Sequence, residues 1–156
     1  MEYFIQVITN PILIVPAISW LIAQVLKALI NALVNKKFSF SRLFGDGGMP
    51  SGHSATVMSL TFMCGFEVGF DQPLFAVAAI LAIIVMHDAT GVRREAGKQA
   101  VAIKSIATVV SEYFAEKDEE IKTEKLKVMI GHTPLQVFAG ALLGCLVAFA
   151  YLWIFK

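Results

Sequence analysis

Charged residues are scarce in this chain of 156 residues, and the positive and negative charges nearly balance. Charged residues make up 16% of the sequence and AVILMFWYC residues 57%, whereas about 25% charged residues is usual in soluble domains. A soluble globule of this size would expose much of its apolar surface, so the composition favours a polytopic membrane protein. The 13 basic residues face 12 acidic ones. This balance argues against nucleic acid as a partner, because a phosphate-tracking surface needs a basic excess.

Cysteine is nearly absent, and so is any sign of a cleaved leader. Cys64 and Cys145 both lie inside apolar stretches, a spacing that matches neither a zinc site nor a disulfide framework. We interpret both as small hydrophobic residues. Residues 1–10 have no basic cluster, and no small-residue cleavage site follows. We therefore expect the first apolar segment to be retained as a membrane span.

Four apolar stretches predict the helices of a transmembrane bundle. Residues 11–34 and 134–155 are each long enough to span a bilayer, which takes about 20 residues. Residues 54–66 and 74–86 are shorter, and form either full helices extended by polar ends or a re-entrant hairpin. Their small residues suit close packing against other helices. The second and fourth stretches, the fourth with Gly140 and Gly144, leave room for packing within or between chains, so a homo-oligomer stays open.

Residues 92–114 predict an amphipathic helix, because small and apolar side chains recur at spacings of three and four between charged ones. A charge-rich connector overlaps its end, at residues 112–130 of a single integral membrane domain that comprises residues 1–156. We therefore expect an all-α, polytopic transmembrane helical bundle with about four membrane helices plus one amphipathic helix.

Basic residues also predict the orientation of the bundle. They follow the first and third apolar stretches, whereas the turn at 67–72 carries only acidic charge. The positive-inside rule then places segments 35–50 and 88–132 in the cytoplasm and both termini outside a cell membrane. The basic residues concerned are Lys36, Lys37, Arg42, Arg93, Arg94 and Lys98.

Polar residues gather at the predicted cytoplasmic ends of the helices. Because the chain alternates direction, one face receives Lys27 and three short segments, which read GGMPSGHS, HDATGVRR and GHTP. Two of these segments begin helices, and a helix N-terminus binds anions through its free N–H groups and its dipole. This face is therefore the candidate functional site.

The arginines at this face favour a phosphate over a metal ion. Arg93 and Arg94 fall in the first turn of the amphipathic helix, where basic side chains oppose the macrodipole unless an anion is bound. Guanidinium groups also match phosphate oxygens bidentately. A metal site formed by His53, Asp88 and His132 is the weaker alternative, and we expect no cofactor. Two histidines are enough for phosphoryl transfer, one as nucleophile and one as general acid.

The motifs of this face resemble those of the type 2 phosphatidic acid phosphatase superfamily, which includes lipid phosphate phosphatases and vanadium haloperoxidases. MPSGHS is similar to its PSGH motif. With MHDATGVRREAGKQA and GHTPLQVFAGALLG, it looks like the divergent, bacterial and plastid branch over essentially the whole chain. The resemblance implies a metal-independent phosphatase that hydrolyses a phosphomonoester or pyrophosphate of a lipid through a phosphohistidine. The positive-inside rule places this site at the cytoplasmic face.

The resemblance also implies roles for individual residues. His132 is the expected nucleophile, and His53 is the expected general acid for the leaving group. Ser51 and Gly52 match the part of the motif that cradles phosphate, and Lys27 corresponds to a phosphate clamp.

Two positions depart from the superfamily pattern. Gln136 stands where an aspartate usually orients the nucleophilic histidine, and Leu126 stands where an arginine is usual. Asp88 is our candidate to replace the aspartate, although it would serve equally as a cap of the next helix. Arg93 or Arg94 is the candidate to replace the arginine, unless both only anchor the orientation.

Two other functions stay open. Because Gln136 stands where an aspartate is usual, a protein without hydrolytic activity is one of them. Such a membrane protein would bind or transport a phospholipid head group in the same basic pocket. A purely structural role as an assembly factor is the third hypothesis.

Overall fold

The computed structural model describes residues 1–35, 48–115 and 131–156. Over these ranges the chain forms helices and no strand, and α3 contacts α2, α4 and α6 at the centre of a bundle. This confirms the all-α membrane bundle. Most of the predicted connector at 112–130 lies outside the described residues. The helices are α1 Glu2–Thr9, α2 Pro11–Asn35, α3 Gly52–Val68, α4 Pro73–Thr90, α5 Val92–Ala115 and α6 Pro134–Phe155.

The break between α1 and α2 follows from two residues. The side chain of Asn10 accepts a hydrogen bond of 2.9 Å from the backbone N–H of Ile12, which caps α2 at its start. Pro11 cannot continue α1, because it lacks an N–H group, but it fits the first turn of α2. The sequence did not predict α1, a helix of eight residues whose side chains are all exposed.

Three stretches of the described chain are long and apolar enough to cross a membrane. They are Pro11–Val34, Pro73–Ser111 and Pro134–Phe155. The fourth bundle helix, α3, has 17 residues, which is about 26 Å of helix. It is the more polar helix that the other three surround.

Contacts at its two ends show that α3 runs along the whole of α6. At one end, the N–H of Ser51 donates to the carbonyl oxygen of Gln136 at 3.0 Å. At the other end, Glu67 and Lys156 form an ion pair of 3.0 Å. Because α6 itself is long enough to span a bilayer, this arrangement favours a spanning α3 over a re-entrant hairpin.

Glycines allow α3 and α6 to approach closely near their N-termini. A Cβ atom at Gly140 would overlap the carbonyl oxygen of Ser51, and one at Gly144 would overlap that of Ala55. Small residues four apart let helix backbones meet inside a membrane. The predicted close packing of small residues is therefore found within one chain.

Hydroxyl groups inside the bundle donate to helix carbonyls. Ser19 of α2 donates to Ala55 of α3 at 3.2 Å, and Thr61 of α3 donates to Ala78 of α4 at 3.1 Å. These bonds join neighbouring helices and give the two buried hydroxyls partners, as a low-dielectric interior requires.

The helix predicted at 92–114 is α5, which extends from α4 after Gly91 and contacts α4 alone among the described helices. Val101, Ile103, Ile106 and Val109 are exposed on it. The bundle that positions the site therefore consists of α2, α3, α4 and α6.

Candidate active site

One end of the bundle receives every segment that the sequence assigned to the site. The C-terminal parts of α2 and α4 and the starts of α3 and α6 meet there. Lys27 packs on Gly48 just before α3, and the N–H of His132 donates to the carbonyl oxygen of Ala89 at 3.1 Å. The antiparallel order of the helices thus produces the convergence that the sequence predicted.

The two motif histidines lie side by side. The ring centroids of His53 and His132 are 6.4 Å apart, with the ring planes at 83°. His53 stands exposed in the first turn of α3, whereas His132 is only 6% exposed just before α6. The pair therefore combines a histidine that solvent reaches with one enclosed by protein.

Gly131 brings His132 against the junction of α4 and α5. A Cβ atom at Gly131 would overlap the backbone of Arg93 and Arg94, so only glycine allows this approach. With the bond from His132 to Ala89, it fixes the nucleophile candidate beside the two arginines.

Asp88 and Arg93 are partners of each other. The carboxylate of Asp88 and the Nε of Arg93 form an ion pair, with side chains 37% and 62% exposed respectively. Asp88 therefore has a partner other than an imidazole ring. Arg94 is half-buried at the start of α5, so the two arginines differ in their surroundings.

Lys27 lies inside the bundle beneath the segment that precedes α3. Its side chain is buried at 6% exposure, and its Cγ lies 3.0 Å from where a Cβ of Gly48 would be. Gly48 has a φ of 89°, a conformation that favours glycine. The stem of Lys27 therefore packs against the segment that leads into α3, the helix whose N-terminus favours an anion.

Ser51 stabilises the start of α3, where the PSGH sequence lies. It is fully buried, and its hydroxyl accepts bonds from the N–H of Ser54 at 3.3 Å and from the hydroxyl of Ser54 at 3.0 Å. The cap fixes the first turn of α3, whose leading N–H groups belong to Gly52 and His53. Because such groups have no partner within their helix, they can donate to phosphate oxygens.

Gln136 belongs to a capping box. Its side-chain oxygen accepts from the N–H of Thr133 at 3.0 Å, while the N–H of Gln136 donates to the Thr133 hydroxyl at 3.4 Å. The Thr-x-x-Gln spacing is the sequence signal for this motif. The other departure, at Leu126, lies outside the described residues, as do Lys36, Lys37 and Arg42.

The helix start at α6 is thus less available to a ligand than the start at α3. The N–H groups of Thr133 and Gln136 are used by the capping box, and Pro134 has none. Within the described ranges, no group of three His, Cys, Asp or Glu residues is arranged to hold a metal ion. The arrangement suits an anion held by Lys27, the start of α3 and the arginines.

Two residues that the motifs do not include also face the site. Trp20 lies on Gly52, with its Cδ1 atom 3.3 Å from the position of a Cβ. Gln24 is buried at 7% exposure. Their spacing from Lys27, seven and three residues, is the signal that places them on the same side of α2.

Comparison with known proteins assigns the chain to a family. The sequence profile of the divergent PAP2 family matches residues 8–147. The chain belongs to this family. The matched range contains both histidines, Lys27 and both arginines, and the membership confirms the predicted divergent branch.

A bacterial relative supports the same assignment. The protein named uncharacterized membrane protein YuiD, from Bacillus subtilis strain 168, is 39% identical over 156 residues. The alignment covers 96% of this chain and 99% of the relative. No solved structure matches the chain. Together with its apolar helices, these similarities make this member of the divergent PAP2 family a membrane protein.

Proposed function

We propose that this protein is a lipid phosphate phosphatase that acts without a metal ion. The observation that carries the proposal is the pair formed by His53 and His132, with ring centroids 6.4 Å apart beside the N-terminus of α3. At this separation, one ring can lie about 3 to 3.5 Å from phosphorus, the distance of a near-attack contact. The other can donate a hydrogen bond of about 3 Å to the leaving oxygen.

The first step transfers the phosphoryl group to the protein. A ring nitrogen of His132 attacks phosphorus with its lone pair, and a P–N bond forms as the bond from phosphorus to the lipid oxygen breaks. The leaving oxygen takes the proton of His53, so the lipid departs as a neutral alcohol, or as a phosphate when the substrate is a pyrophosphate.

The second step releases phosphate. Water attacks the phosphohistidine while neutral His53 accepts its proton. The P–N bond breaks, and its electron pair returns to His132. Both histidines end as they began, which closes the cycle without an oxidant or a further reactant.

Fixed positive charge supports both steps. Lys27 is buried at the site, and the leading N–H groups of α3 point out of its N-terminus. The backbone of Arg93 and Arg94 packs on Gly131, next to His132. Arg94 is the candidate cation there, since the guanidinium group of Arg93 pairs with Asp88. In phosphoryl transfer such groups stabilise the charge on the phosphoryl oxygens in the transition state.

Phosphate release tests the proposal. Purified protein in lipid nanodiscs is given phosphatidate, phosphatidylglycerophosphate and polyprenyl phosphates, alongside His132→Ala. We expect the wild type to release phosphate from at least one substrate and the variant to release none above background. A folded wild type that is inactive on all three classes, or an equally active variant, would contradict the proposal.

We also propose that the site faces the cytoplasm. The argument is the positive-inside rule, with Arg93, Arg94 and Lys98 at the site end and Asp71 in the opposite turn. A thiol at Met49, which is 39% exposed, tests this in a background without Cys64 and Cys145. Met49→Cys should be labelled only from the cytoplasmic side, and its matched control Asp71→Cys only from outside. The reverse result would invert the topology.

A binding or transport protein without hydrolysis is the second candidate. Gln136 closes a capping box and Asp88 pairs with Arg93, so both groups expected to orient His132 are engaged elsewhere. This candidate predicts that a lipid phosphate binds the wild type and is recovered intact.

A further inference from the structure

Gln24 of α2 is a buried amide that the phosphatase motifs leave without a role. Its side chain is 7% exposed. Among the described residues, its Oε1 atom is enclosed and has no hydrogen-bond partner. Most buried side-chain oxygens are bonded, and each exception calls for an explanation, such as a functional role or a bound water or ion.

The neighbours of Gln24 place it against the phosphate motif. Trp20, four residues earlier, lies on Gly52, and Lys27, three residues later, lies on Gly48. Residues at these spacings share one side of a helix. The segment 48–52 therefore runs along the side of α2 that carries Gln24.

Other buried polar side chains of the bundle differ from Gln24. Ser19 and Thr61 donate to carbonyl oxygens of neighbouring helices, and Ser59 donates within α3. Their hydroxyls therefore contribute to the fold. The carbonyl oxygen of Gln24 makes no such contribution. Among the buried polar residues of α2, Gln24 is the nearest in sequence to Lys27.

We propose that Gln24 is a ligand-contact residue of the phosphate site, whose side-chain carbonyl oxygen accepts a hydrogen bond from an O–H group of the ligand. This inference rests on the proposed function and specifies its ligand. An amide oxygen repels a bare phosphate oxygen, since both are acceptors. The donor is therefore a protonated phosphate oxygen or a hydroxyl of the alcohol part of the substrate.

Two small ligands distinguish these sources. Methyl phosphate offers only the phosphate O–H group, whereas glycerol 3-phosphate adds alcohol hydroxyls. Binding is followed by ³¹P NMR on the full chain in nanodiscs at pH 6, where about half of a phosphate monoester carries a proton. The variant is Gln24→Met, which keeps the length of the side chain and removes the acceptor.

We expect Gln24→Met to weaken binding roughly three- to tenfold, the effect of one hydrogen bond. If the variant binds both ligands more weakly, the phosphate O–H group is the donor. If it binds only glycerol 3-phosphate more weakly, the donor is an alcohol hydroxyl. Unchanged binding of both ligands overturns the role of Gln24. A wild type that binds neither ligand instead refutes the phosphate site itself, and the inference with it.

Thermal unfolding without ligand separates ligand contact from a structural role. Gln24→Met should unfold at the same temperature as the wild type or higher, because methionine leaves no buried acceptor without a partner. The matched control is Thr61→Val, which removes a bond between α3 and α4. It should lower the unfolding temperature and leave ligand affinity unchanged. Gln24→Met that unfolds at least as early as this control would assign Gln24 to the fold and contradict the proposal.

Discussion

The two ends of the α3–α6 pair are built differently. At the site end, the helix backbones meet at Gly140 and Gly144. At the opposite end, aromatic rings fill the space, and the ring centroid of Phe149 lies 5.5 Å from that of Phe62 and 5.4 Å from that of Phe66. Side chains that can repack therefore separate the helices at one end, whereas backbone atoms set their distance at the other.

The two ends also differ in the polar groups that they hold. The site end holds both histidines and buried Lys27, whereas the opposite end holds the ion pair of Glu67 and Lys156. Catalytic groups must be held within fractions of an ångström, and helices position them better than loops do. We infer that the glycine contacts serve the site. Changes to the histidines and to the glycine contacts at the site end should then act on turnover, and changes at the opposite end mainly on stability.

The largest expected effect is that of His53→Ala. Loss of the general acid should lower kcat by roughly 100- to 10,000-fold, with stability little changed because His53 is exposed. The measurement is phosphate release under saturating substrate. His87→Ala is the matched control, an exposed histidine at the end of α4 whose loss should change kcat by no more than about twofold. Equal effects of the two changes would remove His53 from the mechanism.

Gly140→Val should have the next largest effect. Its side chain would meet the carbonyl oxygen of Ser51, which separates α3 from α6, lowers the free energy of unfolding by about 1 to 3 kcal/mol and displaces the histidines. Thermal unfolding and phosphate release are measured together. Ala150→Val on the exposed side of α6 is the control and should alter neither. If Gly140→Val keeps full activity, the glycine contact does not position the site.

Gln136→Ala should reduce stability and largely spare turnover. Loss of half of the capping box lowers the free energy of unfolding by about 0.5 to 1.5 kcal/mol, while Gln136→Glu should keep the box, since glutamate suits the same position. Denaturation and kcat are compared for both variants. A hundredfold loss of kcat in Gln136→Ala with normal stability would mean instead that Gln136 orients His132.

Glu67→Gln should have the smallest effect. It removes the ion pair with Lys156 at the opposite end, which contributes at most about 1 kcal/mol in a partly exposed position. The unfolding temperature should fall slightly, less so at high salt, and kcat should stay the same. A marked loss of activity would show that the two ends are coupled.

Much of the fold could be predicted because periodicity and apolar length act locally. The helix predicted at residues 11–34 is α2, Pro11–Asn35, and the one predicted at 134–155 is α6. The convergence of Lys27 with both histidines followed from the alternation of helix direction alone. Arg93 and Arg94 were correctly placed in the first turn of a helix.

Features that depend on contacts between side chains could not be predicted. The pairing of Asp88 with Arg93 depends on the path of the chain at Gly91. The burial of the Gln24 oxygen depends on how other parts of the bundle pack on α2. The capping box is different, since Thr133 and Gln136 show its spacing in the sequence. There a local signal was open to two interpretations, a cap or a replacement for a catalytic acid.

Binding of orthovanadate tests the central claim most directly, because vanadate takes the pentavalent geometry of phosphorus during displacement. It is measured by ⁵¹V NMR on wild type, His132→Ala and the structural control Thr61→Val, all in nanodiscs. A histidine that attacks phosphorus predicts binding to the wild type and to Thr61→Val, and loss of binding in His132→Ala. Equal binding by His132→Ala, or none by the folded wild type, would contradict the assignment of His132 as the nucleophile.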